Sequence, residues 1–214
     1  MTLRESLKEY LDFINQTGYH YKTEQVLEMI LDIDLLTEYC EKNNRKIGIV
    51  SRTPFNVHLI DLVRNSNGDL FPYERIVKAV QGNSVVIMPF LNGKIILLKQ
   101  FRHALGDYQY ALPRGYGELC LTPEENARKE INEELNCESG DYAFLGHIVA
   151  DSGICGEKVN VFRCSIEKPF VEGDYESIVS YIEVTEDEFN EMIRSGQIND
   201  GFTLSAAALY NSRK

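Results

Sequence analysis

The chain has 214 residues, and its hydrophobic fraction of 43% is enough to bury a substantial core and argues against disorder. Its net charge of −11 repels a phosphate backbone, and no basic cluster offsets it, so the composition argues against nucleic-acid binding as the main role. No apolar run approaches the length of a membrane span, and residues 1–19 lack a signal peptide's apolar core, so we expect no membrane attachment.

The cysteines are odd in number and have no Cys-x-x-Cys spacing, which argues against both a disulfide framework and a zinc site. Reduced thiols are typical of the cytoplasm, so we expect a cytoplasmic protein. The five residues concerned are Cys40, Cys120, Cys137, Cys155 and Cys164.

The first part of the chain predicts two amphipathic helices followed by a hairpin. Apolar residues recur at helical spacing over residues 3–14 and again over 23–35. Residues 47–51 and 57–63 are predicted strands, and Asn67-Gly68 predicts a tight turn after them. We expect the helices to cover a sheet or a dimer seam, with docking to a partner helix as the alternative.

Three further strands are predicted over residues 73–81, 84–91 and 94–102, and Asn92-Gly93 joins the last two. This succession predicts a meander. Arg102 ends it with a planar cation that suits bidentate contact with phosphate, although a surface cation at a strand end is the alternative interpretation.

An acidic helix is predicted to begin at Thr122, within the segment 113–137. Thr122 is a good N-cap, Pro123 suits the first helical position, and Glu125 stands where a capping-box carboxylate belongs. The helical period puts one set of apolar residues on one face, namely Ala127, Ile131 and Leu135, and an acidic set on another, namely Glu130, Glu133 and Glu134. These acids would repel one another unless a cation lay among them, so the face either holds a metal ion or is simply solvated.

After this helix, residues 141–150 and 158–166 are predicted strands on either side of the loop 151–157. An acidic loop follows over residues 167–176, then a strand over 178–184. Two more helices are predicted, one opened by the capping box at Thr185 and ended by Gly196, the other after Thr203.

The loop and acidic helix resemble the signature box of the Nudix hydrolases. The positions that match the pattern are Gly115, Glu130, Ile131, Glu133 and Glu134, and those that depart from it are Leu121, Lys129, Asn136 and Cys137. Leu121 replaces a glutamate and Lys129 an arginine at supporting positions, whereas the three glutamates that hold metal in the family are kept. Asn136 is a mild departure, because asparagine tolerates the left-handed conformation that glycine supplies at a helix end.

The elements predict an α+β protein with a mixed sheet, and the resemblance implies a Nudix-type α/β/α sandwich preceded by N-terminal helices and a small β-hairpin region. The domain organisation expected is an N-terminal region over residues 1–72, covering the sheet or a dimer seam, and a Nudix hydrolase domain over 73–214. Similar ADP-ribose pyrophosphatases are dimers, so a homodimer is expected.

The resemblance also implies a set of site residues. The metal ion, Mg²⁺ with Mn²⁺ as an alternative, would be held by Glu130, Glu133, Glu134 and the backbone carbonyl of Arg114. Substrate would be bound by Arg102, Arg114, Gly115 and Glu157, the last facing the sugar. The catalytic residues would be Glu176, Glu133 and Glu130, with Asp174 and Glu172 as alternatives to Glu176 as the base.

The activity implied is hydrolysis of a nucleoside diphosphate linked to another moiety, with ADP-ribose, split to AMP and ribose 5-phosphate, as the expected substrate. A Nudix-fold module that binds a nucleotide sugar or regulates a partner without turnover is the alternative. Leu121 and Lys129 keep this alternative open.

Overall fold

A computed structural model describes residues 1–20, 26–171 and 177–213. The chain divides into two compact units, the first of residues 1–81 with 151–157 and the second of 82–150 with 158–214. Within the described ranges, no helix is both long enough and apolar enough to cross a bilayer.

The described residues form five helices and eleven strands. The helices are α1 (Leu3–Thr17), α2 (Ile33–Asn43), α3 (Pro123–Leu135), α4 (Glu186–Arg194) and α5 (Gly201–Asn211). The strands are β1 (Leu27–Met29), β2 (Gly48–Arg52), β3 (Asn56–Asn65), β4 (Leu70–Lys78), β5 (Val85–Leu91), β6 (Lys94–Arg102), β7 (Asp107–Ala111), β8 (Arg114–Gly115), β9 (Ser139–Ile148), β10 (Val159–Ile166) and β11 (Ile178–Val184).

The first unit is an antiparallel sheet covered by α1 and α2. Its strand order is β1-β3-β2, with β4 also paired to β3. The apolar stripe predicted for α1 packs inside this unit, because Leu7, Tyr10 and Ile14 have no exposed surface and share a cluster with sheet residues such as Leu59 and Leu62. The prediction of a helix that covers a sheet is therefore confirmed for α1.

The predicted second helix is wrong at its start. Residues 27–29 form β1, which pairs with β3 from Leu27 opposite Asn65 to Met29 opposite Val63. The helix α2 begins only after Asp32. The Oδ1 atom of Asp32 accepts hydrogen bonds from the backbone N–H groups of Asp34 at 3.0 Å and Leu35 at 2.8 Å. Pairing with β3 satisfies the backbone hydrogen-bonding groups of residues 27–29, as a helix would. The apolar residues of this segment recur at helical spacing, so their pattern did not reveal the strand. Residues 23–25 of the predicted helix lie outside the described ranges.

The predicted meander is also wrong in its first strand. The strand β4 begins at Leu70 and pairs along its whole length with β3, so it belongs to the first unit and not beside β5. The turn sets this register: the Asn65 side-chain oxygen accepts hydrogen bonds from the N–H groups of Asn67 and Asp69, both at 2.9 Å. The predicted Asn67-Gly68 hairpin is confirmed.

The second unit is a mixed sheet with helices on both faces. Its strand order is β11-β6-β5-β10-β9, with β7 paired to β6 and β8 to β5, and only the β5–β10 pairing is parallel among those described. Alternate residues of β5 serve opposite faces, since Val86 and Met88 pack with residues of α4 and α5 whereas Val85 and Ile87 pack with α3. The α/β/α sandwich is therefore confirmed.

The caps predicted from sequence define α3 and α4. Thr122 and Glu125 form a capping box at α3, and Asn136 ends that helix with a φ of 46°. Thr185 opens α4 with a capping box of the same kind. The last helix begins at Gly201, earlier than predicted, because Asp200 caps it.

Candidate active site

The site is built where β8 crosses the acidic helix α3. The strand β8 is short and pairs with β5, which places Gly115 opposite Val85. A Cβ atom at position 115 would collide with the carboxylate of Glu130, a side chain whose residue is only 8% exposed. Glycine is needed here so that the backbone can approach a carboxylate closely.

A second carboxylate lies under the same backbone. Glu134 is 4% exposed, and its Oε2 accepts a hydrogen bond from the Arg114 N–H at 3.2 Å. Glu130 and Glu134 stand one helical turn apart, so two acidic groups are buried side by side. Burying charges in this way is unfavourable unless they are paired or coordinate a metal ion.

The third predicted metal ligand is oriented differently. Glu133 is half-buried, and its carboxylate accepts a hydrogen bond from Lys129 Nζ at 2.5 Å. Burial alone would lower the pKa of Lys129, but the hydrogen bond that Lys129 donates to Glu133 and the charges of Glu130, Glu133 and Glu118 together raise it. Lys129 is therefore a cation at neutral pH, held against the acidic face.

Lys129 has another partner that the sequence pattern did not indicate. Its Nζ lies 3.5 Å from a carboxylate oxygen of Glu118, three residues before the position where the Nudix pattern has its first glutamate. The Glu118 N–H donates to the side-chain oxygen of the fully buried Asn126 at 2.9 Å, which fixes the loop on α3. Leu121 contributes its carbonyl instead, which accepts from Asn83 Nδ2 at 2.8 Å.

The Arg114 side chain contacts Asp200 and Phe202. Its guanidinium lies 2.9 Å from Asp200 Oδ1 and 4.7 Å above the ring of Phe202. Arg114 and Gly115 were predicted to bind substrate. In the structure the backbone of both residues lies at the carboxylates of α3, while the Arg114 side chain bonds to Asp200.

Of the remaining predicted residues, two belong to other elements of the chain and three are outside the described ranges. Arg102 is the half-buried last residue of β6, opposite Asp107 of β7. Glu157 belongs to the first unit, where its carboxylate lies 3.0 Å from Nζ of the buried Lys78. The predicted base Glu176 and its alternatives Asp174 and Glu172 are outside the described residues.

The acidic pair has the chemistry of a hard-cation site. Across residues 1–20, 26–171 and 177–213, no three side chains of Asp, Glu, His or Cys already converge as a ligand set. Two buried carboxylates and the close-lying backbone of 114–115 nevertheless offer oxygen ligands, which Mg²⁺ and similar ions prefer, often with waters and substrate phosphates completing the shell. The residues present therefore fit a divalent ion.

Comparison with known proteins supports the resemblance. No protein-family model matches the chain. An ADP-ribose pyrophosphatase of Bacillus subtilis (strain 168) is 29% identical over 117 residues, a match that covers 53% of this chain and 63% of that protein. The chain is thus similar to an ADP-ribose pyrophosphatase over about half of its own length, and the match spans less than two thirds of that protein. A crystal structure of an ADP compounds hydrolase has the same fold, with a TM-score of 0.71 and 18% identity over 90% of this chain and 96% of that one.

The chain thus has the acidic helix of the Nudix pattern but supports it with residues that the pattern does not contain. Sequence reasoning missed Glu118, Asn126 and Asp200 as partners of the loop and helix. A signal for Asn126 was present, because an asparagine next to the apolar stripe of an amphipathic helix must have its hydrogen bonds satisfied within the protein.

Proposed function

We propose that the chain is a divalent-metal-dependent hydrolase that splits ADP-ribose into AMP and ribose 5-phosphate. The observation that carries this proposal is the burial of Glu130 and Glu134 side by side under the backbone at Gly115. The names of the similar proteins, an ADP-ribose pyrophosphatase and an ADP compounds hydrolase, point to the same chemistry.

The proposed roles follow from position and charge. Glu130, Glu134 and the carbonyl of Arg114 would hold Mg²⁺, or Mn²⁺ in its place, with Glu133 close by. When bound, the ion would neutralise the negative charge of the diphosphate and lower the pKa of the attacking water. Arg102 is proposed to pair with the diphosphate, because a guanidinium matches phosphate oxygens in a bidentate way.

The reaction exchanges one P–O bond for another and transfers one proton. A water oxygen bonds to one phosphorus of the diphosphate, the bridging P–O bond breaks with its electron pair left on the departing phosphate group, and one proton of the water goes to a general base. Glu176 is proposed as that base, and Glu133 and Glu130 as the other catalytic carboxylates; Glu157 is proposed to face the sugar. Lys129 Nζ donates a hydrogen bond to the Glu133 carboxylate and so holds it in place on the acidic face.

A turnover screen tests the proposed activity. The purified chain is incubated with Mg²⁺ and with ADP-ribose, other nucleotide sugars or dinucleotides, and the products are separated by chromatography. We expect AMP and ribose 5-phosphate from ADP-ribose. Absence of turnover for every diphosphate in the panel would contradict the proposal.

Lys129→Arg should change turnover by less than about tenfold, or roughly 1.4 kcal/mol in barrier height. The Lys129 ammonium group already forms ion pairs with Glu118 and Glu133, so the planar guanidinium group of arginine should add little to the support of the acidic face. Steady-state kinetics measure the effect. If the natural chain is inactive and Leu121→Glu with Lys129→Arg restores turnover, the chain is instead a binding module.

We also propose a homodimer in which the N-terminal helices and the strands between Ile47 and Val63 contribute to the seam. The apolar stripe of α1 is used within its own unit, so the seam must use outer surfaces, such as Phe55, which is 63% exposed between β2 and β3. Light scattering at micromolar concentration should give twice the chain mass, and Phe55→Ser should lower it. A monomer mass for the natural chain would refute the dimer.

The domain boundary and the compartment also remain proposals. We propose that residues 1–72 act as the dimerisation region of a hydrolase domain spanning 73–214, although the rest of β4, residues 73–78, pairs with β3 in the first unit. All five cysteines are free thiols, and burial raises the pKa of Cys137 to about 11. A thiol with a raised pKa is a poor nucleophile, which suits a structural cysteine in a cytoplasmic protein.

A further inference from the structure

The N-terminus of α5 holds the backbone that leads into β8. Asp200 Oδ1 accepts a hydrogen bond from the Arg114 guanidinium at 2.9 Å. Its other oxygen accepts from the backbone N–H of Thr203 at 2.9 Å and from the Thr203 hydroxyl at 2.8 Å. The same hydroxyl oxygen accepts the Leu112 N–H at 3.0 Å, so α5 contacts this segment at two points.

A capping role alone does not account for this arrangement. Asp32 caps α2 from an exposed position with one carboxylate oxygen, whereas Asp200 is 6% exposed and uses both oxygens. A buried carboxylate needs a cation or several donors, and Arg114 supplies a charge-assisted bond. Phe202 lies against the guanidinium face and restricts its movement.

Arg114 links this cluster to the acidic helix. Its side chain bonds to Asp200, while its own backbone N–H bonds to Glu134 and the next residue, Gly115, lies against Glu130. A shift of the Arg114 side chain therefore moves the backbone that lies over both carboxylates. Residues that orient metal ligands from outside the ligand set often change metal affinity.

We infer that Asp200 is a positioning residue for the divalent-cation site, acting through Arg114 and Thr203. The inference rests on the metal site of the proposed function. It goes beyond that function because it assigns a role in cation binding to a residue that lies on another helix and ligates nothing itself.

Asp200→Asn tests the inference, because asparagine is an equally good helix cap but lacks the charge that Arg114 pairs with. We expect Mn²⁺ affinity, measured from the electron paramagnetic resonance signal of free Mn²⁺, to fall about tenfold. Asp32→Asn makes the same change at the cap of α2 and should leave Mn²⁺ affinity unchanged. Thermal unfolding of both variants shows whether either change lowers the stability of the fold.

A double-mutant cycle with Arg114→Met separates the ion pair from other effects. Both single changes remove the same interaction, so the double variant should bind Mn²⁺ no more weakly than the weaker single variant. The double variant carries two neutral groups, so it stays informative even if Arg114→Met alone, with its buried unpaired carboxylate, fails to fold. Additive losses in the cycle would overturn the inference.

ADP-ribose turnover measured on the same samples distinguishes failure of the inference from failure of the proposed function. If the natural chain binds Mn²⁺ and Asp200→Asn binds it equally well, the inference is overturned and the function stands. If the natural chain binds Mn²⁺ without turning over ADP-ribose, the function fails and the Mn²⁺ affinities still decide the inference. If the natural chain binds no Mn²⁺, both are overturned.

Discussion

Glu134→Gln should lower Mg²⁺- or Mn²⁺-dependent turnover by orders of magnitude while the fold survives. Glutamine has the same shape, and its side-chain oxygen can still accept the Arg114 N–H that Glu134 Oε2 now accepts at 3.2 Å. It lacks the negative charge that a hard cation needs from its ligands. Steady-state rates and Mn²⁺ titration measure the loss, and circular dichroism checks the fold.

Glu124→Gln is the matched control for this change. Glu124 lies in the first turn of the same helix, where it is exposed and forms an ion pair with Arg128 at 3.4 Å. Neutralising Glu124 should therefore leave metal binding and turnover unchanged. The decisive variant combines Glu130→Gln with Glu134→Gln. Unchanged Mn²⁺ affinity in that double variant would contradict the assignment of the metal site.

Gly115→Ala should produce the second large loss, in both metal affinity and turnover. The added methyl group would occupy the place of the Glu130 carboxylate, so either the carboxylate or the β8 backbone must move. Overpacking of this kind costs about 1–3 kcal/mol of stability. The thermal midpoint and the Mn²⁺ affinity should therefore fall together.

Two comparisons isolate the collision as the cause. Gly140→Ala adds the same methyl group in β9, where its nearest neighbour would be Ser165 Oγ at an ordinary 3.7 Å, so it should have little effect. Removing the carboxylate by Glu130→Ala should make Gly115→Ala less destabilising than it is in the natural chain. An equal loss in both backgrounds would show that the glycine is needed for another reason.

The features that depend on neighbouring residues could be predicted from the sequence. The start of α3 follows from Thr122, Pro123 and Glu125, and its faces follow from the helical period, so Glu130 and Glu134 were predicted to share one face. The same local rules placed β6, β11 and the cap of α4, because caps and strand alternation involve residues only a few positions apart.

The partners of those features depend on contacts between distant residues. The strand β1 formed where a helix was predicted because β3, more than 30 residues away, supplied its hydrogen bonds. The resemblance predicted that Arg114 binds substrate. Only the packing of α5 showed that the Arg114 guanidinium bonds to Asp200, 86 positions later in the chain. Likewise, the loop conformation set by buried Asn126 brought Glu118 to Lys129.

The sequence by itself therefore determined the acidic helix, its caps, its acidic face and the resemblance to ADP-ribose pyrophosphatases. The tertiary structure decided which backbone lies over those carboxylates and which cations and carboxylates hold it there. The physical reason is that the free energy of a local cap or turn depends on adjacent residues, whereas a buried ion pair forms only where folding brings two distant side chains out of water together.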